Sequence, residues 1–547
     1  MNITFRRTGE RTHLVVERTL RLPAGFFVNI AKGYSIQHRR GCAARRLSRP
    51  RMWGASVAVA LWAGLACLQH PVRASGTASA FDARPWLNDL DQTQQVLATK
   101  YANLAWAILE REVDIPALFA DARGRIEGAR SAAEARAAFD RLIRKLADGH
   151  VEIRWQAREA SARQPPSTCA ALGYDARMFA RGIGARIPGY HPIPGPGAPE
   201  YPAGTVRVGR TTVGVLQIGI FTPQGIPALC EGALRSLGIP LVRGCDDRCA
   251  DRIEAWGSDR MSADLEIQLR RLKSLGARVL LVDVTNNGGG TEWAEVAARM
   301  VTPLHLSSER MDFVRGEHWA EAFRKKEAML RATAQTAGGR DRELLIRLAD
   351  EVEGRRRAAL RPCDSTPLWH LQRPTCQWLG EGFYATGLLA ADSEQLRGKA
   401  WAALVFQPAR FHYTPGVWRG PLIVLVNGDT GSAAEEFAAV LQDNRAAVIM
   451  GAPTAGVGCG HTDGGTPTVL KNTGAVLEVP DCARIRADGT NEVAGIQPDL
   501  LVGVPSNDGS RRNAIRVSEK LPEAVEAAVR NPRILNPAAS LSPSRTH

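Results

Sequence analysis

Two short units set the frame of this chain. The run 278–284, Arg278-Val-Leu-Leu-Val-Asp-Val284, is apolar almost throughout and leads into Thr285-Asn-Asn-Gly-Gly-Gly290. A helix is predicted directly after it, over 293–300. The same order recurs in an apolar run over 421–426, a turn of Asn427, Gly428, Asp429, Thr430 and Gly431, and a helix opened by Ser432 and running to about Leu441. A further strand is predicted over 446–450. Strands without apolar–polar alternation are buried on both faces. Repeated strand–turn–helix units imply right-handed crossovers and a largely parallel sheet, hence an α/β fold.

The rest of the chain is organised around these units. Residues 81–160 read as a helical domain, with loose helical spacing from Trp86 to Ile108 and a tighter pattern over 133–146. It ends in the turn Asp148-Gly149 and an alternating strand, Val151, Ile153 and Trp155. Residues 161–205 are rich in Pro and Gly and read as a linker. The core is predicted in two parts, 206–304 and 416–507, with a strand over 212–220 and a helix over 263–275. Between the two parts, 305–415 carries two charged helices, 317–335 and 341–360, as an insertion or cap. Residues 508–547 are read as a C-terminal helix and a loose tail.

The net charge of +14 invites a nucleic-acid reading, but its position does not. Residues 1–51 hold twelve basic and two acidic residues, and Arg73 follows, so a net charge of only about +3 belongs to the rest. Residues 1–80 therefore read as a basic leader and signal peptide: Arg45, Arg46, Arg49 and Arg51, an uncharged run over 55–68, then small residues up to Ala80. That run is too short for a comfortable membrane span, and no other segment is long and apolar enough. The expected location is exported, periplasmic or extracellular, with membrane attachment only through the leader; Cys67 fits a lipid-attachment pattern poorly. The leader is unusually long, which suggests a start codon assigned upstream of the true one. Eight cysteines follow it, an even number that suggests disulfides, and the local pairs Cys363–Cys376 and Cys459–Cys482 are expected. Cys245-x-x-x-Cys249 lacks the second pair a zinc finger needs, and His370 and His412 lack ligand spacing, so neither a metal nor another cofactor is expected.

Ser432 is the first candidate for chemistry. A serine at a helix N-terminus after a glycine turn can be a plain cap. It can also be a nucleophile, because the first helical N–H groups stabilise a nearby oxyanion. His150 stands at the head of a strand, the 286–290 turn leaves backbone N–H groups bare of side chains, and Glu492 precedes Gly495-Ile-Gln-Pro-Asp499.

Here the chain resembles the tail-specific (C-terminal processing) serine peptidases and their tricorn-like and retinoid-binding-protein-like relatives. Leu146-Ala-Asp-Gly-His150 is similar to L-x-D-G-H, and Asp283 to Gly290 to D-x-R-x-N-x-G-G. Val426 to Glu435 is similar to V-N-x-x-T-x-S-A-x-E, Gly451 to Gly456 to G-x-x-T-x-G, and Gly495 to Asp499 to G-I-x-P-D. The motifs keep the family's order over roughly 85–505. The resemblance implies a crotonase/ClpP-like core, Ser432 as nucleophile, and an oxyanion hole at Gly289 and Ala433, with Gly288, Gly290 and His461 as further pocket residues. The lysine base of the bacterial members is replaced by Val457, so the tricorn-like Ser–His–Glu version is implied, with His150 as base and Glu492 as its support. Three departures stand out. Gly149 replaces that branch's serine beside the histidine, Thr285 replaces an arginine, and no PDZ module is evident between His150 and Thr212. The expected partner is a protein or peptide substrate, with the oligomeric state open. A non-catalytic binder on the same scaffold and an esterase are the competing functions.

Overall fold

The computed structural model describes residues 2–8, 11–18, 30–34 and 81–533, except 156–166, 198, 240–244, 462–466, 504–507 and 532. The apolar run 55–68, Cys67 and the tail beyond 533 lie outside it. Two compact units are present, 1–77 and 78–547. In the first, strands Asn2–Thr8, Arg11–Arg18 and Ile30–Tyr34 form an antiparallel sheet, where the sequence suggested only a leader.

The second unit is built on a seven-stranded sheet. Its strands are β1 (His191–Pro192), β2 (Ala203–Val208), β3 (Thr211–Gln217), β4 (Val279–Asp283), β5 (Leu422–Val426), β6 (Val448–Gly451) and β7 (Leu500–Leu501). They lie side by side in chain order, antiparallel from β1 to β3 and parallel from β3 to β7. The unbroken apolar runs are explained by what covers each face. Leu280, Val282, Leu422 and Val424 face one core layer with Trp293, Phe437, Leu265 and Leu269. Val279, Leu281, Ile423 and Leu425 face the other, against Val517 and Leu521 of the C-terminal helix Ser510–Val529. The period-two alternation of a strand divides its residues between two buried layers.

Four helices matter for the site: α1 (Trp293–Met300) after β4, α2 (Glu317–Thr336) and α3 (Gly339–Ala359) in the insertion, and α4 (Ala433–Asp443) after β5. Two expectations change. The described residues within 161–205 form no linker: Ile183, Ile187 and Tyr201 are core residues, Cys169 is bonded to Cys230, and β1 belongs to the sheet. The helix expected over 263–275 begins sixteen residues earlier, as Asp247–Ser274, because Asp246 caps it. Both expected disulfides form, and Cys245 pairs with Cys249. Among the described residues, no helix is long and apolar enough to cross a membrane.

Candidate active site

β4 and β5 are parallel neighbours, so the turns at their C-terminal ends lie side by side. Hydrogen bonds stitch these turns together. Gly431 N–H donates to Asn287 O (2.9 Å), Thr430 Oγ1 to Val284 O (2.9 Å), and Asn286 N–H to Asn427 Oδ1 (2.8 Å). Ser432 emerges from the second turn with φ 55° and ψ −123°, a conformation rare for a residue with a Cβ. Such strain persists only where surroundings over-determine it, and it clusters at functional sites. Here the Ser432 N–H donates to Glu435 Oε2 (2.9 Å), and its carbonyl accepts from Arg484 Nη2 (3.1 Å). Gly289 packs so closely that a Cβ there would lie 2.7 Å from Ser432 Cβ. The glycine is required by that approach.

The glycine turn does not offer its N–H groups equally. Gly289 is buried and its N–H donates to Asn287 Oδ1 (2.9 Å), which corrects the expectation that this N–H is free for an oxyanion. Phe221 instead bonds the flanking groups, its N–H reaching Gly289 O (2.8 Å) and its carbonyl accepting from Thr291 N–H (3.1 Å). In a parallel bridge of this kind the N–H of Gly290 points away from Phe221. Gly290 is exposed and lines the cleft beside Ser432 and Ala433; Gly288 and Gly289 do not line it. Ala433 opens α4, so its N–H has no partner within the helix. Thr285, in the place of an arginine, braces the turn by donating to buried Asp283 (2.6 Å) and accepting from Ile183 N–H (3.0 Å).

His150 reaches the same cleft from the helical domain. Asp148 fixes its backbone by accepting His150 N–H (3.0 Å) while also bonding Tyr101 and Asn103 (2.9 Å each). The Nδ1 of His150 lies 3.1 Å from Val457 O. A carbonyl can only accept, so Nδ1 carries the proton and Nε2 is left as the basic nitrogen. Burial pushes the His150 pKa below its ordinary 6.5; Asp148 opposes this, and Arg484 and His461 reinforce it. The imidazole is therefore neutral at neutral pH. His461 packs its ring against His150 and bonds His150 O through Nε2 (3.1 Å).

Glu492 is buried, but it meets Arg484 and not the histidine. Arg484 holds Glu492 with two hydrogen bonds, donates to Glu436 (3.2 Å), and reaches the carbonyls of Ser432 and Gly458 (3.1 and 3.0 Å). Burial alone would pull Arg484 down, but Glu492, Glu436 and Glu309 more than offset it and hold it firmly charged.

The cleft encloses about 840 Å³. The side formed by the sheet core and its turns carries Ser432, Ala433, Gly290, His150, His461 and Arg484. The opposite side is supplied by the insertion: α2 contributes Trp319, Phe323 and Met329, with Phe383 and Leu388 nearby. Sequence reasoning missed Arg484, the Val457 carbonyl and this wall, which also carries His318, Glu321, Lys325 and Lys326. A charged residue inside the buried strand Cys482–Ile485 was the available signal for Arg484.

Residues 252–502 match the model of peptidase family S41. The class is therefore that of the serine-type peptidases. The wider chain is similar in fold to the crystal structure of mature CPAF, with 14% identity, 82% of this chain and 98% of that one covered, and a TM-score of 0.53. Weaker likenesses link it to a putative peptidase from Parabacteroides merdae (14% identity, 85% and 98% covered, TM-score 0.41) and to the photosystem II D1 C-terminal processing protease (12%, 79% and 99%, 0.32).

Proposed function

We propose that this protein is an exported peptidase that cleaves peptide bonds through an acyl-enzyme on Ser432. The observation that carries this reading is the shared cleft: a strained serine at a helix N-terminus and a histidine whose Nε2 is the free basic nitrogen. His150 accepts the Ser432 proton as the hydroxyl attacks the scissile carbonyl, and returns it to the leaving amine. The oxyanion is held by the N–H groups of Ala433 and Gly290, the latter in place of Gly289. Losing one such donor costs on the order of 10²–10³ in rate. Val457 O takes the orienting part that a carboxylate plays elsewhere. Glu492 supports the site through Arg484: it balances a cation that would otherwise repel the imidazolium and helps hold the Ser432 carbonyl. Export is supported by the four disulfides and by the basic and apolar leader pattern. Peptide hydrolysis by the wild type, Ser432→Ala and His150→Ala tests the reading. Both variants should lose at least about a thousandfold in kcat, and full activity in either refutes it.

A further inference from the structure

Glu435 is the third residue of α4, and a glutamate there commonly reaches back to the N–H just before the helix. That habit accounts for one of its bonds, the one from Ser432 N–H. Four more donors converge on the same carboxylate. Thr454 Oγ1 (2.5 Å) and Gly456 N–H (2.6 Å) reach Oε1, and Val457 N–H (2.8 Å) and Gly458 N–H (3.4 Å) reach Oε2. Glu435 is fully buried. Burial and nearby Glu492 push the Glu435 pKa up, while the bonds from Thr454, Val457 and Gly456 oppose that rise; a carboxylate accepts from all five donors. None of the four extra partners belongs to α4. All lie in the 454–458 loop, the segment whose Val457 carbonyl receives His150 Nδ1–H.

We propose that Glu435 is a positioning residue that sets the nucleophile and the base in register with each other. One carboxylate oxygen, Oε2, holds both Ser432 N–H and Val457 N–H. Through Val457 it fixes the carbonyl that selects the tautomer and the direction of the imidazole. Gly149 lies under the same loop, 3.1 Å from Val457 Cγ1 measured from the Cβ it lacks, so the loop is held from both sides. The proposal rests on the reading of Ser432 as nucleophile and His150 as base.

Steady-state hydrolysis by wild type, Glu435→Gln, His150→Ala and the double variant tests it. Glu435→Gln keeps the shape but turns an NH₂ toward N–H groups. Its kcat should fall at least about tenfold with KM changed less than about twofold. In the His150→Ala background the same substitution should change the residual kcat by less than about threefold, because no base remains to be misplaced. A purely structural role predicts the full loss in both backgrounds, and that result overturns the proposal, as does wild-type kcat in Glu435→Gln. If Glu435→Gln does not fold, Thr454→Val removes one donor and is read by the same cycle. Undiminished hydrolysis by His150→Ala alone would remove the base reading itself, and the proposal with it.

Discussion

Gly149 and Val457 are two departures from the family pattern that turn out to touch. A Cβ on Gly149 would meet Val457 Cγ1 and Cγ2 at 3.1 and 3.2 Å, against the 3.4–4 Å of ordinary contact. The backbone at Gly149 is no obstacle, since its φ is not positive. Val457 has little room to retreat, because its N–H is held by Glu435 and its carbonyl by His150. Two contacts short by a few tenths of an ångström against a pinned neighbour should cost about 1–2 kcal/mol. That energy can be released only by moving Val457 O from His150 Nδ1 or by losing stability. Gly149→Ala should therefore lower kcat/KM by about five- to thirtyfold, or lower the unfolding free energy by the equivalent amount. Val457→Ala removes both methyls and should restore most of the loss. The assay is a double-mutant cycle on kcat/KM and on denaturant unfolding. A coupling of about 1 kcal/mol or more supports the reasoning, and additivity within about 0.5 kcal/mol refutes it.

Three further outcomes follow from the site. The acid limb of kcat/KM should lie below pH 6.5, since burial lowers the His150 pKa and activity is lost only as pH falls through it. His461→Ala removes a charge that lowers that pKa and should move the limb up, whereas Asp148→Asn should move it down; limbs that stay put would contradict the assignment. Gly460→Ala would place a Cβ 3.1 Å from His150 Nε2, and kcat should drop at least about tenfold with little change in melting temperature. Glu492→Gln leaves buried Arg484 short of a partner charge and should cost roughly 1–3 kcal/mol of stability as well as turnover, as read by thermal melts and initial rates.

The parts of the fold written as local pattern were legible in the sequence. The helix over 293–300 is found as expected because an apolar run, a glycine turn and an amphipathic stretch all agree there. Two disulfides were predictable because their partners lie only 13 and 23 residues apart. Other features depend on tertiary packing. Prolines and glycines over 161–205 read as a linker, yet Gly182 and Gly184 are there because Asp283 leaves no space for a side chain. The role of Val457 lies in its carbonyl, which no side-chain pattern reveals. Arg484 lies 52 residues from Ser432, and its meaning comes only from what the fold gathers around it.

The most direct measurement of the central claim is the site of covalent capture by a fluorophosphonate probe, located by peptide mass spectrometry. Capture is predicted at Ser432, should vanish in Ser432→Ala and should slow at least about a hundredfold in His150→Ala. An adduct on another serine, or labelling of Ser432 at the same rate without the histidine, would contradict it.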